Sequence, residues 1–251
     1  MPTPLFEVCV ENYASALAAR QGGGDRVELC ANLVIGGTTP SEFLFTQVRD
    51  EIGIPANVLI RPRFGDFLYT EEEFRQMEGE IARFRDLGAN GVVIGALTED
   101  GGLDVKHLKR LLNAAGNMQV TLHRAFDMAK DQNEALEQAA DLGFTTILTS
   151  GGLSSAAKGM EQLAELNEQA WGRIRLMAGA GVNAGNIRAL YERTGITAYH
   201  GSCRTGAIES GMRYRNPNVN MGLPGLSEYE LFRTDVREVQ RCVEVVQGLE
   251  G

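Results

Sequence analysis

What most constrains the fold of this chain is a repeated grammar: a short β-rich apolar run, a turn, a segment of helical period, a glycine, and the next run. Eight such runs can be placed, at residues 5–10 (LFEVCV), 26–31 (RVELCA), 57–63 (NVLIRPR), 91–97 (GVVIGAL), 119–127 (QVTLHRAFD), 146–152 (TILTSGG), 173–182 (RIRLMAGAGV) and 198–204 (AYHGSCR). Between them lie helical patterns. In TEEEFRQMEGEIARFRDL, Phe74, Met77, Ile81, Phe84 and Leu87 recur at spacings of three and four, which places them on one helix face. Thr70, followed by three glutamates with Glu73 in the third position, has the pattern of a capping box. DLGANGVVIG, DLGFTTILTSG and RTGITAYHG each close a helix on glycine and hand over to a strand.

Strands alternating with helices imply a parallel sheet with right-handed crossovers. Eight units within 251 residues predict a closed (β/α)8 barrel, a single TIM-type domain over residues 1–251. A doubly wound open sheet is the alternative, disfavoured because no GxGxxG follows the first strand. The rhythm breaks once. Residues 205–227, TGAIESGMRYRNPNVNMGLPGLS, read as a long loop before a last helix from about Glu228 to Gly248. Connections of this length are uncommon in compact domains and are often functional.

Composition narrows the class. No apolar run approaches the roughly 20 residues needed to cross a bilayer. With 33 acids against 24 bases, the net charge of -9 argues against a general nucleic-acid surface. The start, MPTPLFEVCVEN, lacks the basic and long apolar segments of a secretory signal, so a cytoplasmic location is expected, with neither nucleic acid nor membrane as partner. Cys9, Cys30, Cys203 and Cys242 form no CxxC pair and are expected as thiols. Lys106, Lys109, Lys130 and Lys158 all fall outside the strands, which disfavours Schiff-base chemistry.

In a barrel of this kind the chemistry sits at the C-terminal strand ends. Alternation along each run places Glu7, Cys9 and Glu11 on one face, as it does Glu28 and Cys30, Arg61 and Arg63, His123 and Asp127, and His200 and Ser202. Arg124 has the opposite parity to His123 and is expected to face the helices, and His107, in a polar helix start, is expected at the surface. Charged side chains on barrel strands are costly to bury unless paired. Glu7, Glu28, Arg61, Arg63, His123, Asp127 and His200 therefore read as a polar pocket for a small anionic molecule, with arginines holding the anion and an acid and a histidine moving protons. A structural ion-pair layer is the alternative. Glycine turns after the sixth and seventh runs, with Gly151, Gly179 and Gly181, suit an anion site built from backbone N–H groups. Cys9 and Cys30, on neighbouring strands, suit a soft ion such as Cu(I). Glu7, Glu28 and a histidine could alternatively hold a hard divalent metal.

The motifs DRVELCANLVIGGTTPS, IRPRFGDFLYT, TLHRAFD, ILTSGG, MAGAGV and HGSCR, in this order, resemble the CutC family of copper homeostasis proteins over nearly the whole chain. The resemblance implies a TIM-type barrel, a cytoplasmic homo-oligomer, and a copper ion bound as Cu(I) by Cys9 and Cys30, with no reaction assigned to the polar pocket.

Overall fold

Eight short parallel strands close on themselves in sequence order, β1 (Leu5–Val10), β2 (Arg26–Leu29), β3 (Ala56–Leu59), β4 (Gly91–Ile94), β5 (Gln119–Leu122), β6 (Thr146–Thr149), β7 (Arg175–Ala178) and β8 (Ala198–Gly201), and β8 pairs back onto β1. This computed structural model describes residues 3–223 and 225–250. Helices α1 (Tyr13–Gln21), α2 (Glu42–Gln47), α3 (Glu71–Asp86), α4 (Val105–Ala115), α5 (Gln132–Leu142), α6 (Met160–Ala170), α7 (Ile187–Thr194) and α8 (Val236–Gln247) connect or follow the strands. The fold is the TIM-type barrel that the repeats predict. At α3 the capping box is complete: Thr70 accepts from the Glu73 N–H while the Glu73 carboxylate accepts from the Thr70 N–H.

Parity sorts the core into two regions. Phe6, Val8 and Val10 of β1, with Val27, Leu29, Val58 and Ile60, belong to the large cluster packed between sheet and helices. Leu5 shares the other parity and packs with Leu148, Met177 and Ala198 in a small separate cluster inside the barrel. Glu7 and Cys9 share the face of Leu5, so they point inward.

Seven of the eight runs end earlier than the sequence suggests, since all but β1 are four residues long. Alternation predicts facing only while the backbone stays extended. Beyond Leu59 and Leu122 it no longer applies, and this moves several expected site residues.

The segment 205–227 is not wholly loop. It enters a hairpin of β9 (Arg204–Glu209) and β10 (Glu230–Thr234), antiparallel strands in their own two-stranded sheet. The last helix accordingly starts at Val236, capped by Asp235, and not near Glu228. No helix among the described residues is long and apolar enough to cross a membrane.

Candidate functional site

At the C-terminal mouth lies a cavity of about 340 Å³, lined by Cys9, Glu28, Arg61, His123, Arg124, Asp127 and His200 together with an apolar wall that includes Leu33, Leu59, Phe67 and Leu148. Beneath it, β1 and β8 run in register with Glu7 opposite His200, while Glu7 faces Arg26 across β2. Glu7 is wholly buried and fully engaged. One carboxylate oxygen takes Arg26 Nε at 2.5 Å and the other takes His200 Nδ1 at 2.9 Å. Burial alone would raise its pKa, but the Arg26 charge and the hydrogen bonds from His200 and Arg26 pull it down to about 2. Glu7 is therefore a fixed anion beneath the site.

His200 and Glu28 face each other above it, with His200 Nε2 3.6 Å from Glu28 Oε2. Burial drives the imidazolium toward neutrality, yet its interactions with Cys9, Glu7 and Glu28 outweigh that and hold it well above the ordinary imidazole value. Glu28 moves upward too, chiefly because it is buried, despite the His200 charge. The pair thus presents a held proton next to a carboxyl group inclined to keep its own.

His123 is the opposite case. Burial first, and the nearby Arg61 charge second, lower its pKa to about 3, so the ring is neutral. Its Nδ1 accepts from the Ala125 N–H at 3.1 Å, which puts the ring proton on Nε2, and that buried nitrogen has no protein partner. Arg61 is similar: it spends its fork on the carbonyls of Gly37 at 2.9 Å and Gly65 at 2.7 Å, stacks on Phe67 at 5.0 Å, and leaves a buried Nε without a partner. Among the described residues no carboxylate pairs with Arg61, although the residue is buried. Two of the side chains that line the cavity, one of them cationic, thus each keep a buried donor without an acceptor.

Asp127 does not lie on a strand. It sits in a 3-10 turn, Phe126–Met128, and its carboxylate accepts from Thr149 Oγ1 at 2.6 Å, from the N–H groups of Ser150 and Gly152 at 3.0 Å, and from Arg124 Nε at 2.7 Å. The glycine turn after β6 is therefore already filled by an internal anion. The Gly151 N–H goes to Thr149 Oγ1 and the Gly179 N–H to the Thr149 carbonyl. Gly181 offers its carbonyl to Asn183 and Asn186. These bonds take the N–H groups of Gly151 and Gly179 away from any phosphate.

Other expectations need correction. Arg63 lies beyond the end of β3, pairs with Glu73 at 2.5 Å and Asp66 at 3.1 Å, and lies outside the cavity. Arg124, expected to face the helices, lines the cavity because the strand stops at Leu122. His107 is half-buried, bonded to Asp104 at 2.7 Å and stacked on Phe74 at 4.1 Å. Arg26 was missed, although its parity with Glu28 could have found it. Phe67 was missed as well; it lies in an irregular loop where no periodicity marks it.

The thiols do not sit level. Cys9 pairs with Glu28 across the register and opens on the cavity. Cys30 lies past the end of β2, wholly buried with Leu33, Leu59 and Val93, its thiol directed at the Glu28 carbonyl at 3.8 Å. Burial above all, then the charges of Glu28 and Cys9, push the Cys30 thiol well above its usual value. Among the described residues no three His, Cys, Asp or Glu side chains gather as a metal site. That leaves a hard divalent ion without a ligand set, since Glu7 is occupied.

The model of the CutC family matches residues 4–205. A family protein CutC of Bacteroides fragilis is 47% identical over 248 residues, covering 98% of each chain. The human copper homeostasis protein cutC homolog is 45% identical over 246 residues, covering 98% of this chain and 90% of that one. Among solved structures, a CutC from Streptococcus agalactiae superposes with a TM-score of 0.76 at 35% identity, over 80% of this chain and 99% of the other.

Proposed function

Starting from the fact that the chain belongs to the CutC family, we propose that the barrel mouth binds a small anionic molecule, a carboxylate or phosphate ester with an apolar portion, and moves a proton on it. The observation that carries this is the pair of unpartnered buried donors, Arg61 Nε and His123 Nε2. A buried guanidinium without a counter-charge is costly, and an anionic ligand would supply both the charge and the acceptors. Phe67, Leu59 and Leu148 would pack on the rest of the ligand. Glu28 and His200 are the proton carriers, with Glu7 holding the imidazole in place through Nδ1.

The test is a thermal-shift screen of small carboxylates and phosphate esters, followed by calorimetry of any hit. A ligand at about 100 times its Kd should raise the melting temperature by roughly 5–10 °C. Arg61→Met should weaken a true ligand by about 10- to 100-fold, and Arg61→Lys by less, because it keeps the charge and loses the fork. No stabilising anion at all, or equal affinity in wild type and Arg61→Met, would remove the reading.

A second reading is favoured by the openness of Cys9 to the cavity with Cys30 beside Glu28: copper as cargo, taken as Cu(I) between these two thiols in a cytoplasmic homo-oligomer. Two thiolates suit a soft ion of low coordination number, and the human relative is named for copper homeostasis. The Cys30 environment opposes it, because the thiol must lose a proton that burial retains. Titration with Cu(I) against a competing chelator, repeated on Cys9→Ser/Cys30→Ser, separates the two readings; unchanged affinity in the double variant ends the copper assignment to this pair.

A further inference from the structure

A second pair of thiols lies elsewhere, at Cys203 and Cys242, whose sulfurs are 4.0 Å apart, Cys203 donating to Cys242. Cys203 is half-buried just past the end of β8, and Cys242 is buried on α8. Neither lines the cavity. The backbone around Cys203 is fixed to the entry of α8: its carbonyl accepts from the Asp235 N–H at 2.9 Å, and the Ser202 carbonyl accepts from Thr234 Oγ1 at 3.0 Å. Cys203 also holds a left-handed conformation, φ 49°, that a non-glycine residue adopts only when its surroundings enforce it.

We propose that Cys203 and Cys242 form a redox-active dithiol, closed to an intramolecular disulfide by a peroxide and reopened by cellular thiols. A disulfide needs an S–S separation of about 2.05 Å, so side-chain rotation has to bring the sulfurs together by only about 2 Å. The hydrogen bond from Cys203 lowers the Cys242 thiol relative to an ordinary cysteine, which makes Cys242 the attacking thiol and Cys203 the resolving one. The Cys242 thiolate attacks one peroxide oxygen, the O–O bond breaks, and the leaving hydroxide takes a proton to become water. The Cys203 thiol then attacks the resulting sulfenic sulfur, its proton leaving with the hydroxyl group as a second water. Two thiols are oxidised and one hydrogen peroxide is reduced. The bridge would enclose the whole β9–β10 hairpin and fasten the end of β8 to α8.

The experiment exposes the reduced full-length protein to hydrogen peroxide, alkylates it, digests it with trypsin and maps the peptides by mass. The expected product is peptide 194–204 joined to 242–251, two mass units below the sum of the free peptides, released by a thiol reductant. The oxidised protein should melt roughly 8–15 °C higher, as loop closure predicts. Cys203→Ser should abolish both effects. Cys242→Ala, which keeps an apolar side chain in the core, should do the same and guards against a folding defect in a serine variant at that site. Recovery of both peptides unlinked after oxidation, or linkage of 1–20 to 27–49 in their place, overturns the proposal.

Discussion

Arg61 and Asp127 show how one residue can settle what a neighbourhood does. Asp127 fills the turn after β6 with a carboxylate that accepts from Thr149, Ser150, Gly152 and Arg124. Asp127→Asn puts an amide donor among those donors, so unfolding in urea should show a loss of about 2–3 kcal/mol. An unchanged midpoint would mean that the turn holds its shape without the charge. Arg61 shares its fork among loop carbonyls, and replacing it should cost stability in the ligand-free protein, by about 1–3 kcal/mol. Both residues were legible in the sequence as polar pocket members, but their partners were not. Arg61 was expected to hold an anion, and its fork is taken by carbonyls; Asp127 was expected on a strand and sits in a turn. Arg63 looked equivalent to Arg61, but both follow the end of β3 at Leu59, where alternation no longer sets their facing, and Arg63 turns to Glu73 and Asp66.

At the scale of elements, the strands and their order were readable because alternation and helical period are local signals. Their ends were not, since a strand stops where its neighbours stop pairing. The hairpin was hidden for the same reason, because β9 and β10 recognise each other across a stretch of turn residues. The mouth also depends on what an element lacks. Just past β4, a side chain at Gly95 would place a Cβ 2.5 Å from the His123 ring, so this glycine makes room for the imidazole. Gly95→Ala should displace that ring, cost about 1–3 kcal/mol and weaken anion binding, measured by urea unfolding and calorimetry. Full affinity in that variant would show that His123 does not hold the ligand.

For the whole molecule, the two mouth histidines are pulled in opposite directions, and the consequence is a domed stability profile. His123 has a depressed pKa, so its contribution is complete above the unfolded value of about 6.5 and is lost as pH falls toward about 3. Glu7 acts in the same sense lower down, its contribution lost as pH falls from about 4.5 toward about 2. His200 is raised, so its contribution is complete below about pH 6.5 and is lost as pH climbs through its folded value. Glu28, also raised, is complete below about pH 4.5 and adds to the loss as pH rises. Urea midpoints measured across pH should be highest within about pH 4.5–6.5, where the His123 gain and the Glu28 loss offset each other and the His200 loss has not begun; His123→Phe should flatten the acid side and His200→Asn the alkaline side. A profile without curvature, or variants that flatten the wrong sides, would refute these assignments. The internal carboxylate at the β6 turn has one further consequence for the molecule as a whole. Because Asp127 stands where an incoming anion would otherwise organise the loop, that part of the entrance is assembled before any guest arrives, and association need not spend affinity on ordering it.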